Sequence, residues 1–524
     1  MTNPKLAATT KAEAIFRSID ADGDGTISKG ELVACLAKSG IGISDARLAA
    51  LRQRLAAMGD KPLPPQAFGE LMEDSGELVS RAARGDLAIP EFGRFAEEIA
   101  GLHDEVSGQR DGQVADYIPQ LARVSEEAFG VSITTVDGQS YSVGESHVGF
   151  TLQSSCKPFL YAAALEEWGE ASVHRHVGRE PSGLSFNELT LNKDGLPHNP
   201  MINAGAIMTS SLIRRAAPTA DRIEFLTDLV SAMAGGQRCH VNTAIWHSER
   251  ETADRNFALA HHMRERGAFL PDTQIQATLD YYFSACSIEI NTEAMAMIGS
   301  TLANGGVCPT TGVRVFKEET VKNCLSMMYS CGMYDYSGEF AFSVGIPAKS
   351  AVSGVILAVI PNVMGIAVWS PRLDACGNSV RGVAFLKELV GRFAFHNYDS
   401  LLSTSKTDPR RFRSADEYDR TCRAIHAASI GDIEDLKRLV AHGHDLNRAD
   451  YDGRTPLHLA ASEGQVDTVR YLIRQGVATS SLDRWGHTAL DDARRHIREE
   501  VGQLLSSRAQ GETVEVMGRL TTAA

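Results

Sequence analysis

The spacing of hydrophobic residues changes along the chain, and each change marks a different kind of structure. From residue 12 to about 105 the pattern is helical: Ile15, Phe16 and Ile19 share one face, an acidic stretch interrupts, and Leu32, Val33 and Leu36 share a face after it. From 114 to about 400, strand and helix signals mix. Val131 to Val136 is β-rich and runs into Asp137-Gly138, a hairpin-type turn, before Ser140 to Val143. Val352 to Ile360 and Met364 to Trp369 read as two buried strands parted by Pro361-Asn362, while Lys157 to Trp168 and Glu293 to Ala303 read as long helices. Strands, then helices, then strands predict an α+β domain in which helical layers cover an antiparallel sheet.

Beyond about residue 420 the sequence repeats itself. Gly453-Arg454-Thr455-Pro456-Leu457-His458 returns as Gly486-His487-Thr488-Ala489-Leu490-Asp491, an offset of 486 − 453 = 33. Ala427-Ala428-Ser429 and Gly431 stand the same distance before Ala460-Ala461-Ser462 and Gly464. That period and the TPLH signature are those of ankyrin repeats, with degenerate outer units as caps. Polar breaks at Ser107 to Gln113 and Ser403 to Arg413 set boundaries. The expected organisation is an all-α domain over 1–106, the α+β domain over 107–402, a linker over 403–419, an all-α ankyrin array over 420–508 and a loose tail over 509–524.

Composition narrows the function classes. A length of 524 residues exceeds one compact core, and 43% hydrophobic with 23% charged residues is ordinary for a globular chain. The formal charge of −14, with no Lys/Arg cluster, argues against nucleic acid, whose phosphates call for a basic face. The longest apolar stretch, from Gly354 toward Trp369, is broken at Pro361-Asn362 and falls short of the roughly 20 residues of a membrane span. Met1 to Lys11 has neither the apolar core of a signal peptide nor the Arg-rich character of a transit peptide. Nine cysteines with no CxxC pair read as reduced thiols. The expectation is an acidic, cytoplasmic, multidomain protein.

The acidic stretch between the first two helices has metal-ligand spacing. Asp20, Asp22, Asp24, Gly25 and Glu31 fit a twelve-residue EF-hand loop at every constrained position. Alternate carboxylates converge on one hard cation, Gly25 allows the sharp turn, the Thr26 carbonyl and Ser28 add oxygens, and Glu31 binds bidentately, a set suited to Ca2+. Ile27, at the eighth position, calls for pairing with a second loop. The stretch Asp60 to Pro65 stands where that mate belongs but lacks ligands, so one working site and one structural mate are expected.

In Gln153-Ser154-Ser155-Cys156-Lys157-Pro158, Ser154 and Lys157 are three apart, which at a helix start puts hydroxyl and amine on one face. A lysine with a lowered pKa can take the serine proton. Ser155 points elsewhere. The same spacing recurs at Ser403 and Lys406, in the polar linker, where nothing buries it. Lys349-Ser350-Ala351, ahead of the apolar strand, resembles the Lys-Thr-Gly strand of penicillin-binding proteins and class A β-lactamases. Such an edge can lend the Val352 N–H to pair with that of Ser154 as an oxyanion hole.

Further motifs make the resemblance specific. Ala115-Asp116-Tyr117-Ile118-Pro119-Gln120-Leu121-Ala122, Leu152-Gln153-Ser154, Glu180-Pro181-Ser182-Gly183, and Asn199-Pro200-Met201-Ile202-Asn203-Ala204-Gly205-Ala206-Ile207 follow one another in order. Ser248-Glu249, Asp254-Arg255-Asn256-Phe257, Ser330-Cys331-Gly332-Met333-Tyr334-Asp335 and Phe395-His396-Asn397-Tyr398 complete the series. Over about 114–400 the chain thereby resembles the serine-dependent glutaminases, and its flanks resemble their long, ankyrin-bearing members. The resemblance implies a β-lactamase/DD-peptidase-like fold and hydrolysis of L-glutamine to L-glutamate and ammonia, with no cofactor needed for the chemistry. It implies catalytic roles for Ser154, Lys157, Tyr334 and Val352, with Tyr117, Asn203, Glu249, Asn256 and Tyr282 joining them around the substrate. It also implies a homo-oligomer, dimeric or tetrameric, with a protein partner on the ankyrin face. Ala351 departs from the family's usual glycine. The competing readings are a penicillin-recognising acyltransferase, which shares the Ser-x-x-Lys chemistry, and a calcium-responsive scaffold around an inactive core.

Overall fold

The computed structural model describes residues 13–59, 61–183, 189–399, 406–410 and 417–507. They form two units, Phe92–Arg410 and a second built from two separate segments, Met1–Glu91 and Arg411–Ala524.

In the unit Phe92–Arg410, the apolar runs become a five-stranded sheet. Its strands are β1 (Gly130–Thr135), β2 (Ser140–Gly144), β3 (Ala348–Ser350), β4 (Val355–Ile360) and β5 (Met364–Trp369), in the order β2-β1-β5-β4-β3, every neighbour antiparallel. Strands β1, β4 and β5 are buried along their whole length, which is why β4 reads Val-Ile-Leu-Ala-Val-Ile rather than alternating. The helices of this unit include α1 (Phe92–Ser107), α2 (Lys157–Trp168), α3 (Asn203–Leu212), α4 (Ile275–Cys286), α5 (Thr292–Ala303) and α6 (Val380–Arg392). A Cβ on Gly299 of α5 would lie 2.9 Å from Leu357, and one on Gly382 of α6 would lie 2.9 Å from Ile356. Successive residues of a strand face opposite ways, so α5 and α6 cover opposite faces of the sheet. Helix α5 comes closest to β5, where a Cβ on Gly365 would stand 2.2 Å from Ser300 N. Ser300 Oγ donates to Thr135 O at 2.8 Å and ties the same helix to β1.

Two expectations shift. The strand read as Val352 to Ile360 begins at Val355, because Ala351 to Gly354 form a turn: Ala351 N–H donates to Val355 O at 2.9 Å and Gly354 N–H to Ala351 O at 2.9 Å. The unit also begins at Phe92 rather than at the polar break Ser107 to Gln113. Helix α1 packs Phe95 on Phe393 and Phe395, with ring centroids at 5.0 and 6.3 Å, and its Glu98 and Glu105 pair with Arg392.

In the other unit, residues 13–19 are helical and lead through the acidic loop into the helix Lys29–Lys38. The mate called for by Ile27 is there: Ile27 and Leu63 exchange both N–H···O bonds at 2.8 Å. Ile15, Phe16, Ile19, Leu32, Leu36 and Phe68 fill the core beneath. Three helical pairs follow beyond residue 417, Glu417–Ile430 with Ile433–Ala441, Pro456–Glu463 with Val466–Arg474, and Ala489–Arg495 with residues 499–507. The repeated threonines, Thr455 and Thr488, are the N-caps, and the TPLH histidine His458 reaches the next repeat at His487 O, 3.2 Å away. The two segments interlock. Glu434 pairs with Lys38, Arg423 with Glu91 at 2.5 Å, and the Arg474 stem lies against Gly23 in the acidic loop. Ser403, Asp60 and residues 509–524 lie outside the described residues. No helix among the described residues is long and apolar enough to cross a membrane.

This interlock predicts unequal effects of truncation. Deleting 411–524 should speed backbone amide exchange across 13–91 by at least tenfold, because the faces that Glu434, Arg423 and Arg474 cover become wet, and should leave exchange across 92–410 unchanged. Hydrogen-exchange mass spectrometry on the two chains measures both; unaltered protection in 13–91 would show that those helices hold themselves.

Candidate active site

Ser154 lies in the 3₁₀ turn Gln153–Cys156, which hands directly into α2 at Lys157. Residues three apart eclipse in such a turn, so Ser154 and Lys157 share a face. Ser155 turns away, its hydroxyl donating to Leu152 O at 2.5 Å. Gln153 enters the turn with φ +48°, a left-handed conformation that costs a residue with a Cβ roughly 1–2 kcal/mol.

Three clusters of side chains surround this turn. In the first, the Lys157 amine is fully buried, which pulls its pKa down to about 8, and it donates to Asn203 Oδ1 at 2.7 Å. Asn203 opens α3. Its Oδ1 also accepts from the Tyr282 hydroxyl of α4 at 3.3 Å, and its Nδ2 donates to Asn256 Oδ1 at 3.2 Å. Gly205 lets the segment before α3 fold back on the helix, since a Cβ there would stand 1.9 Å from Asn199 O.

The second cluster is built on Glu249. Its Oε1 accepts from the Tyr117 hydroxyl at 2.5 Å and from Gln153 Nε2 at 2.9 Å. Burial pushes the Glu249 pKa up, and those two donors pull against it. Tyr117 is 46% exposed, but its hydroxyl is enclosed, and burial with the Glu249 charge holds the phenol well above its usual range. A buried carboxylate held by two neutral donors is short of positive charge, so it suits an ammonium group.

Tyr334 forms the third. It takes φ +54° in the turn after Gly332, and its hydroxyl faces that of Ser154, while burial pushes its pKa far up. Lys349 lies over its ring, Nζ 4.4 Å from the centroid, and donates to Gly332 O at 3.1 Å and Ser350 O at 2.7 Å. Burial, and then the charge of Lys157, press the Lys349 amine well below its ordinary value. Two lysines in one dry site cannot both be charged cheaply.

Val352 sits in the turn that follows β3, half-buried against Ile118, Leu121 and Ile245. Strand β3 packs on the Gln153–Cys156 turn. Among the described residues neither the Val352 nor the Ser154 N–H makes a backbone hydrogen bond. The nine residues named from the sequence therefore come together around one turn. Two residues of the site had been given no role: Gln153, whose partner Glu249 is 96 residues away, and Lys349, read only as part of a strand motif. The apolar context of Lys349 was the available signal, since a lysine between buried residues must meet a partner.

In the acidic loop, one oxygen from each of Asp20, Asp22 and Asp24 falls within 4.8 Å of the others. Glu31 closes the ring from the far end, accepting from Ala21 N at 2.6 Å and Ser28 N at 2.8 Å. Gly25 holds φ +85° and donates to Asp20 at 3.1 Å, which folds the loop inward. The all-oxygen donor set fits a hard divalent cation.

Comparison with known proteins gives three family matches: glutaminase over residues 112–398, EF hand over 12–36, and ankyrin repeats (three copies) over 424–515. A putative glutaminase 2 of Caenorhabditis elegans is 46% identical over 447 residues, 84% of this chain and 74% of that protein. The mitochondrial liver isoform of glutaminase from Rattus norvegicus is 42% identical over 94% of this chain and 83% of its own length. A solved structure of a probable glutaminase is 39% identical with a TM-score of 0.54, covering 57% of this chain and 97% of that one.

The turn that presents Tyr334 depends on Gly332, where a Cβ would stand 1.8 Å from Ala348 O. Gly332→Ala should cost about 1–3 kcal/mol by overpacking, read as a lowered denaturation midpoint. An unchanged midpoint would mean that β3 can move away.

Proposed function

The chain belongs to the glutaminase family and is a glutaminase, and from that premise we propose that it hydrolyses L-glutamine through an acyl-enzyme on Ser154. Lys157, with its amine near pKa 8, takes the Ser154 proton as Oγ attacks the side-chain amide carbon. The Ser154 and Val352 N–H groups receive the oxyanion. Tyr334, kept protonated by its raised pKa, hands its proton to the departing nitrogen and regains one from Lys157 as the C–N bond breaks and ammonia leaves. Water then attacks the acyl carbon, releasing glutamate and returning the proton to Ser154. Glu249 takes the substrate ammonium, and Tyr117, Asn203, Asn256 and Tyr282 supply donors for its carboxylate and amide. The observation that carries this reading is the fully buried Lys157, one 3₁₀ turn from a serine that faces Tyr334.

A coupled assay for glutamate tests it. Ser154→Ala should leave less than a tenth of wild-type kcat while glutamine binding stays measurable by calorimetry, and Ser403→Ala should change nothing. The working form of Lys157 is the unprotonated amine, so kcat/KM should rise with pH and level off above about 8. Retention of a tenth or more of turnover by Ser154→Ala would remove the covalent route.

We also propose that Asp20, Asp22, Asp24, Thr26, Ser28 and Glu31 hold Ca2+, supported by the convergence of the three aspartates. Calcium is assigned to regulation or assembly, since none of its ligands belongs to the Ser154 site. A homo-oligomer is proposed on exposed Phe342 and Tyr398, and a protein partner for the ankyrin array on exposed Tyr451, Leu482 and Trp485. A cytoplasmic setting is also proposed; the nine unpaired cysteines are in keeping with a reducing compartment. Calorimetric titration should show Ca2+ binding that Glu31→Gln weakens by at least tenfold, with magnesium a poor substitute. Equal binding by both proteins would remove Glu31 from the ligand set.

A further inference from the structure

The backbone of the Tyr334 turn is gripped from several sides. Lys349 Nζ and Ser350 N–H both donate to Gly332 O, at 3.1 Å each. Ser337 Oγ donates to Tyr334 O at 2.7 Å and accepts from Met333 N–H at 3.0 Å. One further grip comes from much later in the chain. Asn378 is fully buried, and its Nδ2 donates to Met333 O at 3.3 Å. Its own N–H donates to Asp374 Oδ1 at 2.9 Å, and Asp374 N–H donates to Asn378 O at 2.8 Å, so the loop 374–378 is closed on itself. Ser379, the next residue, caps α6 and donates to Ser370 O at 2.7 Å, which anchors the loop to the end of β5. Gly377 lies against the Tyr334 ring, where a Cβ would be 3.7 Å from Cε2.

Packing alone does not account for an asparagine at 378. Its Oδ1 is buried with no hydrogen-bond partner, a cost that an apolar side chain of the same size would not carry. What the amide supplies is one donor, aimed at the carbonyl of the peptide that joins Met333 to Tyr334. That peptide sets the direction in which Tyr334, at φ +54°, leaves the backbone. We propose that Asn378 is a positioning residue for hydrolysis, fixing the Met333–Tyr334 peptide so that the Tyr334 hydroxyl stays on Ser154. The inference rests on the assignment of Tyr334 as proton donor.

Steady-state kinetics on the full chain test it with Asn378→Ala, Asn378→Asp, Tyr334→Phe and the double variant Asn378→Ala/Tyr334→Phe. Misplacing a reacting group by an ångström costs up to about a hundredfold. Asn378→Ala should therefore lower kcat about tenfold, with KM for glutamine within about twofold, because the Glu249 cluster is untouched. The double variant should be no slower than Tyr334→Phe alone. Asn378→Asp keeps the volume but offers Met333 O a donor only when its carboxyl is protonated, so its kcat relative to wild type should rise as pH falls. Wild-type turnover by Tyr334→Phe would overturn the assignment of Tyr334 and this inference together. If Tyr334→Phe is slow and adding Asn378→Ala slows it a further tenfold, Asn378 acts elsewhere and the inference alone falls. Should Asn378→Ala not fold, the Asn378→Asp ratio decides, and a ratio independent of pH overturns the proposal.

Discussion

Keeping the Lys157 amine out of water is the constraint on which the rest of the site depends. An ammonium in a dry interior loses its hydration, and the group answers by giving up its proton. That needs a buried Nζ, and the chain supplies it with α3 packed against α2 and α4 packed against α3 and the Gln153–Cys156 turn. The Lys349 amine answers in the same way, held well below its ordinary value by burial first and then by the charge of Lys157.

The same dryness sorts the other groups into roles. Burial that lowers a lysine raises a phenol, so a site that makes a base of Lys157 also keeps Tyr334 an acid. Of the six non-glycine residues with left-handed backbone among the described residues, Gln153 and Tyr334 are the two that carry a binding or reacting group into the centre. Such conformations persist when their surroundings over-determine them. Gln153 is fixed by Glu249, and Tyr334 by the carbonyl grips on either side of it. The two closest glycine approaches, 1.8 Å at Gly332 and 1.9 Å at Gly205, fall in the segments that carry Tyr334 and Asn203.

Much of this is legible along the chain, and what is not has a physical reason. The helix Lys157–Trp168 carries its own signals, a proline in its first turn and a glycine after its end, and the hairpin at Asp137-Gly138 carries its turn residues. The acidic loop is legible because its ligands are local. The position of Val352 is not, because a turn with Gly354 at φ +89° and a strand start look alike in an apolar run. Gln153 and Asn378 are hidden for another reason: each acts through a partner tens of residues away, and spacing says nothing about such pairs. The family motifs place Ser154, Asn203, Glu249 and Tyr334 in order, and only the folded chain shows that Asn203 links Lys157 to Tyr282 and Asn256.

The unit built from the two ends of the chain has a consequence for synthesis. Lys38 leaves the ribosome long before Glu434, and the whole of Phe92–Arg410, 410 − 92 + 1 = 319 residues, is made in between. At about 5–20 residues per second that is a wait of roughly 15–60 s. Throughout it, the nascent N-terminal helices carry faces whose covering helices do not yet exist, among them that of Cys35, beside which Glu434, Lys437 and Arg438 come to lie. The glutaminase sheet, whose strands are all present once Trp369 has emerged, can close well before that. Translation thus imposes an order on the molecule, the Phe92–Arg410 unit first and the flanking unit last, and leaves the helices of 13–91 uncovered for longest.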